Sequence, residues 1–250
     1  MTAGTPLYLD WQFWTALVAF AALVLSQLPP LYSLFRRGRV SLEAYDRLQI
    51  THTLGNSNAQ IHLIVINQGG RPVRVRRITL TLQCGNNPPW TLTALNYYQA
   101  ITDKSAVLLT PFTLGPNQEW AHSVGFLTPL SRQEEQRFRQ IQSAMRADIQ
   151  AKKLLPGNVN ILVEADPATL NPALAFFQQK FRWEPGEYAV TINFVTEPAD
   201  ASLEKRYRIT LFESDTADLR SYTDAYKYGL GVYFFDLERQ PGIFPSLTEV

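Results

Sequence analysis

Residues 61–82 have the sequence IHLIVINQGGRPVRVRRITLTL, which predicts two long β-strands joined by a turn. The first strand, IHLIVI, is apolar on both of its alternating faces, as in a central strand that lies between two layers. The turn NQGGRP contains glycine, which accepts positive φ, and proline, which fixes its own φ. In the second strand the alternation of apolar and polar residues slips at Arg76 and Arg77, which predicts a β-bulge.

Further strands are predicted on both sides of this pair. Leu48 to Leu54 alternates apolar and polar residues, and Trp120 to Phe126 has its larger apolar residues on one face. The other predicted strands are Trp90 to Tyr98, Ala106 to Leu114, Gly186 to Phe194 and Arg206 to Phe212, of which the last two form a hairpin. Because short strands separated by turn residues are typical of sandwiches, we expect a mainly β domain at residues 40–250, with an immunoglobulin-like antiparallel β-sandwich.

Helical segments interrupt this pattern. Ser131 and Glu134 form a capping-box signature, which predicts a helical insertion at about residues 130–155. The apolar stripe of this helix is narrow, so it can either lie along the sandwich or receive a helix from a partner chain. Asp215 is a candidate N-cap for a C-terminal helix at about residues 215–228. Residues 166–183 are compatible with a further short helix.

The N-terminal sequence predicts a membrane anchor. No charged residue occurs between Trp11 and Phe35. A helix that crosses a hydrocarbon core of about 30 Å needs roughly 17 to 25 apolar residues, which this stretch supplies. Pro29 and Pro30 interrupt helical hydrogen bonding, so we expect the regular helix to end near Leu28. The residues expected to contact the membrane are Trp11, Trp14, Phe20, Leu25, Tyr32 and Phe35.

Two alternatives to a transmembrane helix can be weighed from the sequence. A cleaved signal peptide has basic residues before its apolar stretch, but residues 1–10 contain neither lysine nor arginine. A buried core helix has polar residues along one face, but few polar residues occur here. We therefore expect a short flank at residues 1–10, followed by a single-pass transmembrane helix and an interfacial stretch at residues 11–35.

The flanking charges predict the orientation of this helix. Arg36, Arg37 and Arg39 follow the apolar stretch, whereas Asp10 is the charged residue in front of it. Because cytoplasmic flanks carry an excess of lysine and arginine, we expect the N-terminus outside and the main domain in the cytoplasm. The alternative is an extracytoplasmic main domain. The same arginines are expected at the membrane surface, where they attract anionic headgroups.

The sequence contains no recognisable catalytic or cofactor-binding motif. His52, His62 and His122 are candidates for a metal or acid–base site. They form no H-x-H pair and no H-E-x-x-H motif, and no cysteine cluster lies near them, so we expect neither a metal nor a cofactor. A nucleophile elbow and a phosphate-binding loop are also absent from the sequence. The formal net charge of +1, without a dense basic tract, argues against nucleic-acid binding.

These features favour a membrane-anchored, non-enzymatic interaction or scaffolding protein that belongs to a membrane-associated complex. Its expected partners are the lipid bilayer and another protein at the membrane surface. The candidate partner surface consists of Phe138, Ile141, Met145, Ile149, Phe234, Phe235 and Phe244. The alternative is a membrane-tethered ligand- or metal-binding module, or a hydrolase, with a site near the histidines.

Overall fold

The computed structural model describes residues 11–27, 37–100, 105–157, 161–236 and 238–250. The flank at residues 1–10, the anchor residues Tyr32 and Phe35, and the surface charge at Arg36 lie outside the described residues. Within the described ranges the protein is mainly β, with one curled antiparallel sheet and several helices.

The strands and helices have the following bounds. In chain order, the strands are β1 (Val40–Ala44), β2 (Gln49–Thr53), β3 (Asn56–Asn67), β4 (Val73–Cys84), β5 (Trp90–Tyr98), β6 (Val107–Leu108), β7 (Phe112–Leu114), β8 (Glu119–Leu127), β9 (Gly186–Glu197), β10 (Leu203–Leu211) and β11 (Thr248–Glu249). The helices are α1 (Trp11–Gln27), α2 (Arg132–Lys153), α3 (Pro167–Lys180) and α4 (Glu213–Ser221). Short 3₁₀-helices cover Ala199–Ala201 and Tyr222–Tyr228, and the second of these continues α4 directly.

All of these strands belong to a single sheet. Their order along the sheet is β1-β3-β8-β5-β4-β9-β10-β11, while β2, β6 and β7 pair with β3, β5 and β4 respectively. The two long strands predicted from residues 61–82 are therefore present as parts of β3 and β4, but β8 and β5 lie between them. The predicted bulge is confirmed, because the register of β4 against β9 shifts between Val75 and Arg77.

The C-terminal segment, residues 243–249, joins the two lateral edges of the curled sheet. On one side, Ile50 and Ile243 exchange backbone hydrogen bonds of 2.9 Å. On the other side, β11 pairs with β10 through Thr248 and Arg208. The row of strands that begins at β1 and β2 therefore returns to them across this segment.

The two ends of the curled sheet differ. At one end, called here the helical end, the β2–β3 turn contacts α3 closely, because a Cβ atom on Gly55 would lie 2.5 Å from the carbonyl oxygen of Phe177. The other end, called here the arginine end, comprises residues 37–39, the β3–β4 turn at residues 68–72 and the last residues of β9. The space between the ends is filled by the core. Its fully buried members include Leu63, Val65, Leu80, Val190, Ile192, Phe176 and Trp183.

The predicted immunoglobulin-like sandwich is not confirmed. A sandwich has two stacked sheets, whereas hydrogen bonds connect all of the described strands into one. Alternation along a strand identifies the residues that face a core. It does not distinguish one sheet that curls around the core from two sheets that enclose it.

Helix α1 precedes the β domain and carries no charged residue. Its side chains from Trp11 to Ser26 are all exposed. Among the residues that the structure describes, no helix has both the length and the apolar character that crossing a bilayer requires.

Candidate functional site

His52, the first metal candidate, is a buried residue near the helical end. Its side chain is 4% exposed. The Nε2 atom lies 2.8 Å from the carbonyl oxygen of Leu219, and Nδ1 accepts a hydrogen bond of 3.2 Å from the backbone N–H of Gly55. These partners assign the proton to Nε2 of a neutral ring. Burial lowers the pKa of His52 from 6.5 to about 4, against the opposing effect of the hydrogen bond to Leu219.

The three histidines do not converge on one site. Leu63 of β3 lies opposite His122 of β8 and next to His62, so the side chains of His62 and His122 point to opposite faces of the sheet. His52 and His122 share the inner face, but their partners on β3, Ser57 and Leu63, are separated by about 20 Å along the strand. Within the described ranges, no three histidine, cysteine, aspartate or glutamate residues could hold a metal ion together.

His122 belongs instead to a half-buried aromatic cluster. Its ring centroid lies 4.9 Å from that of Tyr97 and 4.9 Å from that of Trp120. Trp120 in turn stacks on Phe112, with 4.7 Å between the ring centroids. This cluster closes the interior towards the arginine end, and packing accounts for its aromatic composition.

The apolar stripe of α2 is not a free partner surface. Ile141, Met145 and Ile149 are 5%, 0% and 1% exposed, because they pack into the domain core. Phe138 is half-buried against Phe176, with 6.0 Å between the ring centroids. Of the two arrangements considered from the sequence, the structure therefore has the one in which α2 docks on its own domain.

The capping box at the start of α2 reinforces this docking. The Ser131 hydroxyl accepts a hydrogen bond from the backbone N–H of Glu134, and the Glu134 carboxylate accepts one from the backbone N–H of Ser131. The same carboxylate forms an ion pair with Lys180 at the end of α3. Lys180 and the backbone of Ser131 lower the pKa of Glu134 to about 2. The cap thus connects α2 to α3 as well as satisfying the helix end.

The aromatic residues near the C-terminus are exposed, as a partner surface requires. Phe234, Phe235 and Phe244 are 42%, 55% and 48% exposed. Phe244 borders a groove of about 450 Å³, which neither Phe234 nor Phe235 lines. The predicted aromatic surface is therefore divided, and Phe244 is the member that lies at a concave site.

This groove, called here the β10 groove, lies between β10 and the C-terminal segment. It forms because the described part of the C-terminal segment pairs with β10 at Tyr207 and Arg208, and through the backbone N–H of Val250 at Arg206, but not at the residues after Arg208. Its polar and aromatic lining residues are Arg47, Arg208, Thr210, Phe212, Asp215, Phe244, Ser246 and Thr248. Phe212 is 66% exposed, so two phenylalanine rings border an unpaired stretch of strand edge.

Two guanidinium groups add charge to the β10 groove. The Arg47 side chain donates a 3.2 Å hydrogen bond to the carbonyl oxygen of Phe244, and Arg208 lies 3.1 Å from a carboxylate oxygen of Glu187. An unpaired strand edge can accept an extended segment, and arginine beside it favours carboxylate groups. The groove also contains a carboxylate, that of Asp215, which accepts a 2.8 Å hydrogen bond from the backbone N–H of Phe212. Arg47 is therefore the cation that lies beside the exposed rings without a carboxylate partner in the described residues, and the groove can bind an extended segment with apolar side chains and an acidic group near Arg47.

Sequence reasoning missed Arg47, Arg208 and Phe212. Each is an ordinary residue in its local context, and Arg47 is 197 positions from Phe244, its contact in the groove. Phe212 ends a predicted strand, but its exposure becomes visible only in the structure.

Comparisons with known proteins do not assign a family. No family model and no curated protein matches the chain. The chain is similar to the X-ray structure of Northeast Structural Genomics Consortium target SoR45, with 11% sequence identity, 70% of this chain and 86% of that chain covered, and a TM-score of 0.26. A TM-score of this size carries no argument about fold or function.

Proposed function

We propose that this chain is a membrane-anchored, non-enzymatic protein that presents its β domain to a protein partner at the membrane surface. The exposure of α1 is the observation that supports the proposal. Trp11, Phe20 and Leu23 are 79%, 66% and 62% exposed. Because apolar surface in water is unfavourable by about 25 cal/mol per Å², a helix of this kind requires an apolar cover.

Lipid suits α1 better than a groove on another protein. A helix that docks in a groove is amphipathic, whereas α1 is uncharged on every side. Its 17 residues extend over about 25 Å, compared with about 30 Å for a hydrocarbon core. The apolar sequence continues with Leu28 and Leu31, so the proposed anchor includes residues 11–35.

The proposed orientation has the N-terminus outside and the β domain in the cytoplasm. It is supported by the arginines that follow the apolar stretch, Arg36, Arg37 and Arg39, and by the lack of basic residues before it. The side chains of these arginines would lie among the headgroups of the cytoplasmic leaflet, where anionic lipids are enriched.

The β10 groove is the proposed site for the protein partner. Its exposed rings at Phe212 and Phe244 supply apolar contact area, and Arg47 favours an acidic side chain at the end of the groove away from Asp215. We propose an extended segment with both kinds of side chain as the occupant, added along the free part of the β10 edge.

Membrane fractionation of the full-length chain tests the anchor. We expect the protein in the membrane fraction after washes with high salt and with alkaline carbonate, and its release by detergent alone. A chain that stays in solution without detergent would contradict the proposal. For the orientation, a reporter that works only outside the cytoplasm, fused after Val250, should remain inactive.

Copurification after mild detergent extraction tests the partner. We expect a reproducible protein that is crosslinked to a photoreactive residue at position 244 but not at position 235. A monodisperse monomer with no reproducible copurifying protein would contradict this part of the proposal.

A further inference from the structure

The arginine end of the sheet holds two groups of arginines together that are far apart in the sequence. Arg37 and Arg39 lie where the chain enters the domain, directly against the β3–β4 turn. The backbone N–H of Gln68 donates a 2.7 Å hydrogen bond to the carbonyl oxygen of Arg39. A Cβ atom on Gly69 would lie 2.4 Å from the carbonyl oxygen of Arg37, so only glycine permits this approach. The same turn carries Arg71.

Asn67 fixes the turn that carries Arg71. This residue is 0% exposed. Its Nδ2 atom donates hydrogen bonds of 2.8 Å to the carbonyl oxygen of Arg71 and 3.1 Å to that of Leu114. Its Oδ1 atom accepts a 3.0 Å hydrogen bond from the backbone N–H of Gly69. The arginines thus project from an ordered backbone, which lowers the entropy cost of using them together.

Little of this positive charge is neutralised within the domain. Arg37, Arg39 and Arg71 are exposed and make no ion pair with any residue in the described ranges. Arg74, the second residue of β4, lies opposite Glu197 at the same end, but Arg76 binds that carboxylate. Among the described residues, the acidic side chains at this end are Glu119, Glu197 and Asp200. Guanidinium groups therefore exceed carboxylates at the arginine end.

We infer that the arginine end rests on the anionic headgroups of the membrane that holds the anchor. This inference rests on the proposed membrane anchoring and adds the docked pose of the domain. The stretch from Gln27 to Arg37 reaches at most about 35 Å, so the arginine end is the part of the domain that the anchor keeps near the bilayer. Each arginine that lies close to an anionic membrane surface raises the equilibrium constant for docking about fivefold.

Energy transfer to lipid-attached acceptors measures this pose. The full-length chain is placed in nanodiscs of neutral phosphatidylcholine, or of the same lipid with 30% phosphatidylglycerol. In a Cys84→Ser background, a donor dye is attached at Ala199→Cys, near the arginine end, or at Asn87→Cys, near the helical end. These labels lie about 40 Å apart along β4, so docking brings only the first close to the headgroups.

We expect phosphatidylglycerol to raise transfer from position 199 and not from position 87, and 1 M salt to abolish the increase because it shortens the screening length to about 3 Å. The Arg39→Glu/Arg71→Glu variant should lower the docking constant at least about 25-fold. The Arg132→Glu/Arg182→Glu variant, which changes the charge equally near the helical end, should match the parent.

Equal transfer in both lipids, or equal effects of the two charge reversals, would overturn the inference. Flotation of the full-length chain with neutral vesicles in 1 M salt reports on the anchor separately. A chain that floats but shows no response to phosphatidylglycerol retains the anchor and loses the docked pose. A reversal that instead removes only a copurifying protein identifies the arginine end as a protein-binding surface and also overturns the inference.

Discussion

The ring Nε2 of His52 donates a hydrogen bond to the carbonyl oxygen of Leu219, 2.8 Å away, and thereby connects β2 to α4. The rings of Phe177, Phe181 and Tyr222 surround it, with centroids 5.2, 5.5 and 5.6 Å from its own. A residue that the sequence offered as a metal ligand is thus a core contact between the sheet and the helices. Protonation of His52 therefore affects the stability of the folded domain.

His52 should make the domain less stable in mild acid. Its pKa is about 4 in the folded chain, below the usual 6.5, so the unfolded chain binds more protons between these values. Stability should therefore fall as the pH decreases through this window, by about 2 kcal/mol between pH 7.5 and 4.5. Urea unfolding at both pH values measures the loss. His52→Gln should reduce this pH dependence, whereas His62→Gln on the outer face should retain it; equal pH profiles for the two variants would contradict the assignment.

Asn67→Asp should destabilise the arginine end. The carboxylate would face the carbonyl oxygens that Nδ2 now binds, including those of Arg71 and Leu114, without a proton to donate. A buried charge without a partner costs about 3 to 5 kcal/mol. Chemical denaturation at pH 7 should show this loss in the free energy of unfolding. At pH 4 the free energies of unfolding of the variant and the parent should differ less, because a protonated acid side chain at position 67 can donate one hydrogen bond. A loss below about 1 kcal/mol would exclude a structural role for this amide.

Met145→Ala should test the docking of α2. Met145 is 0% exposed, and removal of a buried methionine side chain costs about 2 to 5 kcal/mol. Leu154, just after the helix, is 84% exposed, so Leu154→Ala should change stability by less than about 0.5 kcal/mol. Thermal and denaturant unfolding of both variants provide the comparison. Similar small effects would mean that α2 does not pack on the domain in solution.

Ala19→Arg should weaken the proposed membrane anchoring. Ala19 is the middle residue of α1, where arginine costs about 3 kcal/mol in a bilayer, so the ratio of membrane-bound to soluble chain should fall about 100-fold. Gln12→Arg, near the start of the helix, should have little effect because its side chain can reach the headgroups. Quantitative fractionation of both variants decides the point, and retention of Ala19→Arg in the membrane at the parental level argues against insertion of α1.

Phe244→Ala should weaken binding of the proposed partner. A ring at the centre of an interface typically contributes about 2 kcal/mol, which corresponds to about 30-fold in affinity. Phe235→Ala is the matched control, because Phe235 is similarly exposed but lies outside the β10 groove. Copurification from detergent extracts, with circular dichroism to establish folding, compares the two. Equal losses would move the interface away from the groove.

Some features that depend on a few neighbouring residues could be predicted from the sequence, but the N-cap predicted at Asp215 was wrong. Asp215 is the third residue of α4, and its carboxylate accepts a 2.8 Å hydrogen bond from the backbone N–H of Phe212. The cap of α2 requires Ser131 and Glu134 three positions apart, and both of its hydrogen bonds are present. The bulge near Arg76 follows from a slip in alternation, which is also a local pattern. Both features can be predicted because the residues that make the interaction lie next to one another in the sequence.

The arrangement of the strands could not be predicted in this way. β3 and β4 are consecutive in the chain, yet β8 and β5 separate them in the sheet. All four strands contain a similar alternation of apolar residues, so this local pattern does not determine their order. The order depends on how the side chains of all the strands and helices pack together in the core. The candidate site shows the same limit, since Arg47 and Phe244 become neighbours only when the C-terminal segment meets β2.

The pairing of Ile50 with Ile243 also sets how late in synthesis the sheet can be completed. Until the ribosome has released residues 243–249, the nascent chain has two open strand edges, one at β2 and one at β10. Each can recruit the corresponding edge of another unfinished copy on the same messenger RNA. We therefore expect this polypeptide to require a chaperone, or slow initiation of translation, more than a protein whose strands pair in the order in which they are made.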